Sequence, residues 1–513
     1  MSKNIITTTV VLLAAVFLTP LAAQHNWCGT TGEYARQVKE QLIANKRALQ
    51  EGLITSRQNT RYIPLKFHLI ARTNGQDRVR LDKVLDQLCA INEDFEDIGF
   101  QFYLKDGDFN YIDNNTAYEN HIQVQGAILE NERDNNAVNI FVPETANFSA
   151  NGVGTVLGYF NGGFDWLVMS KDEVGSSSST LSHELGHFFS LLHPFNGWEV
   201  EAWSEEEHGN PVTQTTAPDG FTEVELVDGS NCDDAGDFIC DTPPNYNFGF
   251  GWPNCNFTEL VYDRNSDLIE PTEELFMSYF LACSRGSYFF TDDQIDVMLA
   301  DYEAPSSAYY RSDYVPSQEA IEEDAERLAP AMAQNFNRYN DIAFEWSSVP
   351  GAEAYLLQVS VDPSFGETIV DMVVTGTSQT IELLQPSRLH FWRVRPFNEY
   401  HACTGFGGFG TFITGAVTST QEAMLADDFS VQPNPLRADQ PLTVQVSANE
   451  AFRASFTLYS MAGQAVQTLG QQSITVGNNQ FDLPMQETLP AGMYLLEMRD
   501  DRRRQFTRLV IAE

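Results

Sequence analysis

Between Thr180 and Phe195 the chain reads TLSHELGHFFSLLHPF, and four side chains in it have types that could do chemistry together. On a helix His183 and His187 are four apart, so both rings lie on one face within reach of one ion. Glu184 follows the first of them. His193 comes ten residues after His183; if the helix continued, its Cα would sit roughly 15 Å further along the axis, at 1.5 Å per residue. A zinc–nitrogen bond is about 2.0 Å. His193 therefore joins the other two only if the helix stops and the chain turns back. With nine histidines in the whole chain, three at this spacing with a glutamate after the first are poorly explained as a helix of merely buried rings. Three neutral imidazoles leave one position of a tetrahedral zinc open to water. The dication lowers that water's pKa, and Glu184 is placed to take its proton and deliver it to a leaving amine.

The elements that must hold these groups are legible as pattern. YIPLKFHLIAR alternates as a strand over 62–72, and LDKVLDQLCAINEDFEDIGFQFYL gives an amphipathic helix and then a strand. VNIFVP (138–143) and DWLVMS (165–170) are further short strands, so an α/β domain is expected to end near residue 305. EYARQVKEQLIANKRALQEGL, ahead of it, is helical in pattern but too little to fold alone. Residues 306–334 are polar and acidic and read as a linker. From 335 the texture changes to strands and turns at sandwich spacing.

At 513 residues several domains are expected. The first 23 residues, MSKNIITTTVVLLAAVFLTPLAA, read as a secretory signal peptide, and no later stretch is long and apolar enough for a membrane anchor. A formal charge of −41 repels nucleic acid and anionic membranes. Export permits disulfides. Seven cysteines, at 28, 89, 232, 240, 255, 283 and 403, leave at least one without a partner.

The set His183, Glu184, His187, His193 resembles the zinc motif of the metzincin endopeptidases, except that Ser190 stands where the motif has its turn glycine. ELFMSYF (274–280) resembles the Met-turn of that clan. The resemblance implies that Met277 lies under the metal and that Tyr279 sits near it, able to hydrogen-bond the reaction's oxyanion. MSYF and the His-Pro pair after the third histidine look like serralysins, but the calcium repeats of that family are absent from the sequence. The better match is the pappalysin family, through NCDDAGDFICDTPP (231–244), FTDDQIDVM (290–298) and IPLKFHLI with the helix that follows it. This likeness runs from about 62 to 302.

The cysteines 232, 240, 255 and 283 allow three pairings; the resemblance implies the interleaved one, Cys232–Cys255 and Cys240–Cys283. Asp233, Asp237 and Asp241 are hard oxygen donors of the kind calcium takes, and family members carry calcium here; a solvated acidic loop is the other reading. Cys28, in NWCGT, resembles the prosegment thiol that blocks the metal in bacterial pappalysin-like zymogens, and a disulfide to Cys89 or Cys403 is its alternative. The prosegment is expected over 24–61, removed near Arg57 or Arg61. In metzincins the stretch after the Met-turn lines the pocket past the scissile bond. Here it is Phe280-Leu281-Ala282 and holds no carboxylate, so cleavage before apolar residues is expected, and Arg285 would reinforce the rejection of cations if it points inward. Asp292 or Asp293 reaching the pocket would reverse that.

Trp346, Val349-Pro350-Gly351-Ala352, Tyr355 and Trp392-Arg393-Val394-Arg395 resemble a fibronectin type III module over 335–416. Pro433-Asn434-Pro435, Leu458-Tyr459 and LPAGMYLL (489–496) resemble the type IX secretion sorting domain over 428–513. The expected whole is a multi-domain chain: an α/β metzincin-type zincin catalytic domain (62–305) followed by two all-β sandwich domains. Its expected function is that of a secreted or surface-attached zinc endopeptidase acting on proteins or peptides and exported by the type IX machinery. The rival is an adhesin whose protease domain has decayed, with Ser190 as its one support in the motif.

Overall fold

The structure is a computed structural model; it describes residues 28–52, 59–148, 155–249, 255–417, 425–437, 441–460, 465–485, 489–500 and 503–512. The expected signal peptide and Arg57 lie outside these.

The first unit is built on one mostly parallel sheet. Its strands are β1 (Arg61–Ala71), β2 (Phe100–Leu104), β3 (Asn110–Asp113), β4 (Val138–Val142), β5 (Gly158–Asn161) and β6 (Trp166–Met169). The order is β2-β1-β4-β6-β5, and β3 continues alongside β1 beyond β2. All pairs are parallel except β5–β6. A parallel sheet is covered on both faces, which is why VNIFV in β4 and WLVM in β6 are buried at every position. β5 is the antiparallel edge; a four-residue strand set among glycines, it carries no alternation that would reveal it in the sequence.

Helix α1 (Glu33–Gln50) precedes the sheet, α2 (Leu81–Asp94) follows β1, α3 (Thr180–Phe188) carries the histidine motif, and α4 (Asp292–Glu303) comes after the Met-turn. α4 begins with a capping box: Thr291 Oγ1 accepts from Gln294 N and Gln294 Oε1 accepts from Thr291 N. Between α3 and α4 the chain is mostly irregular.

The next unit has two sheets, β11-β10-β13-β14-β8 and β12-β9-β7. Its strands are β7 (Arg327–Ala329), β8 (Gln334–Asn335), β9 (Asn340–Trp346), β10 (Ala354–Ser360), β11 (Val370–Val374), β12 (Ser378–Leu383), β13 (Leu389–Phe397) and β14 (Gly410–Ile413). β7 and β8 belong to it, and Ala325 packs in its core. The expected linker 306–334 is thus anchored at both ends rather than free: at its other end Tyr309 and Tyr310 pack on the first unit. The segment's polar composition hid this because its contacts are made by isolated residues. A last pair of sheets, spanning residues 428–511, has a core drawn from 425–511 alone.

α2 is buried around most of its circumference, polar positions Asp82 and Gln87 included. One face lies on the sheet. The other is covered by β10, β11 and β13: Arg393 pairs with Asp82 at 3.2 Å, Arg395 with Asp86 at 2.7 Å, and Asp371 accepts from Leu81 N at the helix start, at 2.9 Å. Ala354, Leu356 and Phe397 share a core with the first unit. The Cys89–Cys403 disulfide closes the junction.

Candidate metal centre and active site

α3 ends in a Schellman turn. Leu191 N donates to Gly186 O (2.9 Å), Ser190 N donates to His187 O (3.0 Å), and Ser190 has φ 69°. A serine there costs roughly 1–2 kcal/mol against glycine, yet the turn is made. The chain reverses and brings His193 back under the helix.

The three rings then converge. His193 Nε2 lies 3.2 Å from His183 Nε2 and 3.1 Å from His187 Nε2. Each Nδ1 faces an acceptor: Phe276 O for His183 (2.6 Å), Leu191 O for His187 (2.7 Å) and Glu199 Oε1 for His193 (3.1 Å). An Nδ1 that donates leaves its Nε2 as a bare lone pair. Three lone pairs aimed at one point repel one another unless a cation lies between them, and acceptors behind metal-bound imidazoles fix their tautomer in this way. The donor set fits zinc. Burial holds the His183 ring down to about 3 and the His187 ring well below its usual value, so both are neutral, as ligands must be.

Met277 is fully buried, and its Sδ lies so close to Gly186 that a Cβ there would meet it at 2.3 Å. Gly186 thus lets Met277 press against α3. The Tyr279 ring stands 5.0 Å from His193 and 6.2 Å from His183.

Cys28 is the free cysteine, and its Sγ joins the three histidines in one group with all four ligand atoms within 4.8 Å. It lies 3.4 Å from His187 Nε2 and 3.5 Å from Glu184 Oε2. Cys28 bridges Gly158 in β5, Gly29 N donates to Gly158 O (2.9 Å), and Phe160 N donates to Thr30 Oγ1 (2.8 Å). Thr30 Oγ1 also reaches Glu184 Oε2 at 3.3 Å. Burial is the main cause that pushes Glu184 up to about 8 and the thiol well above its usual value in the protein alone. Positive charge at the imidazoles would pull the thiol the other way.

Other expectations are corrected. The disulfides are Cys232–Cys240 and Cys255–Cys283, not the interleaved pair. The loop from 232 to 240 doubles back so that its end Cα atoms are 5.0 Å apart. Asp233, Asp237 and Asp241 do not form one ligand group. Asp233 pairs with Lys46 (2.9 Å), and Asp241 accepts from Thr291 Oγ1 (2.7 Å) and Asp293 N (2.9 Å). Asp237 is buried near Glu225, which the sequence did not single out; burial pushes both carboxyls up, and the charge of Asp237 raises Glu225 further. Leu281 lines a small cavity beside His183 with Leu157 and Tyr288, whereas Phe280 turns into the core and Ala282 lines nothing there. Arg285 is turned away, held by Asp94 at 2.7 Å and 2.5 Å. Asp292 and Asp293 begin α4 and do not line the cavity. Arg61 is a buried strand residue beside Glu303 (3.4 Å), so its backbone is not open to a processing protease.

Nothing in the sequence marked the acceptors Phe276 O, Leu191 O and Glu199, because two are backbone atoms and the third follows no fixed spacing.

Among the described residues no helix is long and apolar enough to cross a membrane. No curated protein matches the chain. Among solved structures it is similar to the BSP domain of a biofilm-associated protein (13% identity, 37% of this chain and 29% of that one, TM-score 0.14). It is also similar to the fibronectin(III)-like modules of Clostridium thermocellum CbhA (8% identity, 36% and 93%, TM-score 0.15) and to the FN1–FN3 domains of chicken CNTN1 (14% identity, 40% and 67%, TM-score 0.15). The chain spans less than a third of the biofilm-associated protein it matches. Residues 105–239 match the family described as Pregnancy-associated plasma protein-A, the pappalysin peptidases, and residues 430–512 match the secretion system C-terminal sorting domain. Residues 105–239 are thus similar to the pappalysin peptidases, and the chain carries a type IX sorting domain that marks it for the cell surface or the extracellular space.

Proposed function

We propose that the protein is a zinc-dependent endopeptidase with an α/β metzincin-type catalytic domain, made as a latent zymogen. The observation that carries this reading is the convergence of three Nε2 lone pairs beside a buried glutamate. His183, His187 and His193 would hold the ion, which when bound supplies a Lewis acid that polarises the scissile carbonyl and acidifies water. Glu184 takes the attacking water's proton at its carboxylate and passes it to the leaving nitrogen. Tyr279, whose ring stands 5.0 Å from that of His193, supplies the hydroxyl that donates to the developing oxyanion in this reading. Once residues 28–30 leave it, the edge of β5 offers backbone groups to an extended substrate, and the cavity at Leu281 takes the side chain past the cut. Leu157, Phe276, Leu281 and Tyr288 line it beside Ser179, Thr180 and Ser278, no carboxylate is among its lining residues, and Arg285 is tied to Asp94. Digestion of a peptide library by the activated enzyme tests both points. Cleavage should stop on chelation and return with zinc, and medium or large apolar residues should follow the cut. Cleavage that persists without metal would reject the reading, and a dominant Arg or Lys after the cut would reject the pocket.

Latency follows from where residues 28–30 lie. They fill the β5 edge that a substrate would use and point a thiol at the ligand group. Cys28→Ser replaces a strong zinc ligand by a weak one. The unprocessed Cys28→Ser chain is expected to show peptidase activity at least about tenfold above the unprocessed wild type, read with a quenched peptide before any cut near residue 57. Equal silence of the two precursors would count against the thiol.

A further inference from the structure

The prosegment reading accounts for Cys28 but not for α1, which makes its own contacts away from the sulfur. Val38, Leu42 and Asn45 form the buried stripe of α1, at the four- and three-residue spacing of one helix face. Two of these are apolar, and the third is an amide placed where an apolar residue would serve a plain hydrophobic contact. Asn45 Nδ2 donates to Ser190 Oγ (2.8 Å) and to Asp301 Oδ1 on α4 (2.8 Å), and its Oδ1 accepts from Gln41 Nε2 (3.3 Å). Both amide hydrogens and the carbonyl are therefore used. Asp301 is buried, with Ser307 Oγ at 3.5 Å from its other oxygen. Flanking the stripe, Lys46 pairs with Asp233 (2.9 Å) and Lys39 stands over the Phe238 ring (4.3 Å).

Ser190 is the residue that breaks the zinc motif's glycine rule, and its hydroxyl, which glycine lacks, accepts from this helix. A single buried polar group on an apolar stripe specifies register, because every other alignment leaves it and its partners unsatisfied.

We infer that the surface formed by Ser190, Asp301 and the Phe238 loop is a helix-docking site for residues 33–50 that holds the prosegment independently of the Cys28 thiol. This rests on the reading of residues 28–50 as a prosegment. A cut between residues 52 and 59 then leaves a bound inhibitory fragment, and activation needs a second step that destroys or displaces α1.

The test uses the full chain carrying Glu184→Gln, which cannot digest itself, with a recognition sequence for a specific protease placed within residues 53–58. After nicking, retention of the 28–52 fragment is followed by gel filtration and mass spectrometry, and its release by competition with labelled fragment. The fragment should stay bound, and it should also stay bound with Cys28→Ser. Asn45→Ala should speed release at least about tenfold, since it strands the buried carboxylate of Asp301. Exchanging the partners, Asn45→Asp with Asp301→Asn, should restore retention, which separates a specific contact from a general loss of helicity. The inference is overturned if the wild-type fragment leaves during the column run. It is equally overturned if Cys28→Ser alone releases it, or if Asn45→Ala is held like the wild type. Retention is read without catalysis, so failure of the peptidase reading would appear separately, as absent proteolysis after α1 is removed.

Discussion

Glu184→Gln, in enzyme freed of residues 28–58, is expected to keep its zinc and lose about 10²–10⁴-fold in kcat/KM, the range for a positioned general base. The amide has nearly the volume of the carboxyl, so the packing around it is preserved, but it cannot accept the water's proton. Glu184 is not among the four side chains whose ligand atoms gather in one group, and its carboxylate faces Cys28 and Thr30. Metal content near one zinc per chain, with activity reduced, is therefore the expected pair of results, read by elemental analysis and peptide hydrolysis on one sample. Activity within tenfold of wild type would sink the mechanism. Loss of the zinc along with the activity would instead make Glu184 a structural support of the ligand group.

The site was legible because zinc chemistry restricts residue types and spacing tightly. His183 and His187 declare a helix face, and the distance of His193 demands a turn; the resemblance to the zinc motif puts that turn at Ser190, whose φ is 69°. Ser190 as a sign of decay loses its force, since the turn that glycine would make is made. The acceptors behind the rings stayed hidden, since a backbone carbonyl has no sequence signature. Disulfide pairing failed for a related reason: Cys232 and Cys240 find each other through a loop reversal that spacing does not specify. The strands β1, β4 and β6 announced themselves through β-rich apolar runs, whereas β5, the strand nearest the chemistry, did not. Its sequence, GYFN, is short and glycine-flanked, and its place is set by pairing with β6. No local pattern announces what the acidic residues Asp82 and Asp86 of α2 pair with. Their partners, Arg393 and Arg395, lie some three hundred residues later.

That junction carries the second large expectation. A chain cut after residue 305 should aggregate or melt at least about 10 °C below one cut after residue 417. Without the β module, Asp82 loses Arg393 and Gln358, and the start of α2 loses the carboxylate of Asp371. The apolar face that packs on Leu356 and Phe397 becomes exposed. The Cys89–Cys403 bridge goes too, and loss of a native disulfide alone typically costs about 2–5 kcal/mol. At about 2–4 °C per kcal/mol for a domain of this size, the bridge and the uncovered face together reach the stated shift. The sorting domain should behave differently. Its core is its own, and the ion pair Arg504–Asp341 (3.0 Å) that joins it to the module is partly exposed and worth little. Removal after residue 417 should thus leave the melting of the rest within about 2 °C of the full chain. Calorimetry on both truncations decides the matter. A monomeric chain cut after residue 305 that melts with the one cut after residue 417 would show that the β module is a passenger on a self-sufficient first unit, and the buried arginines against α2 would then need another explanation.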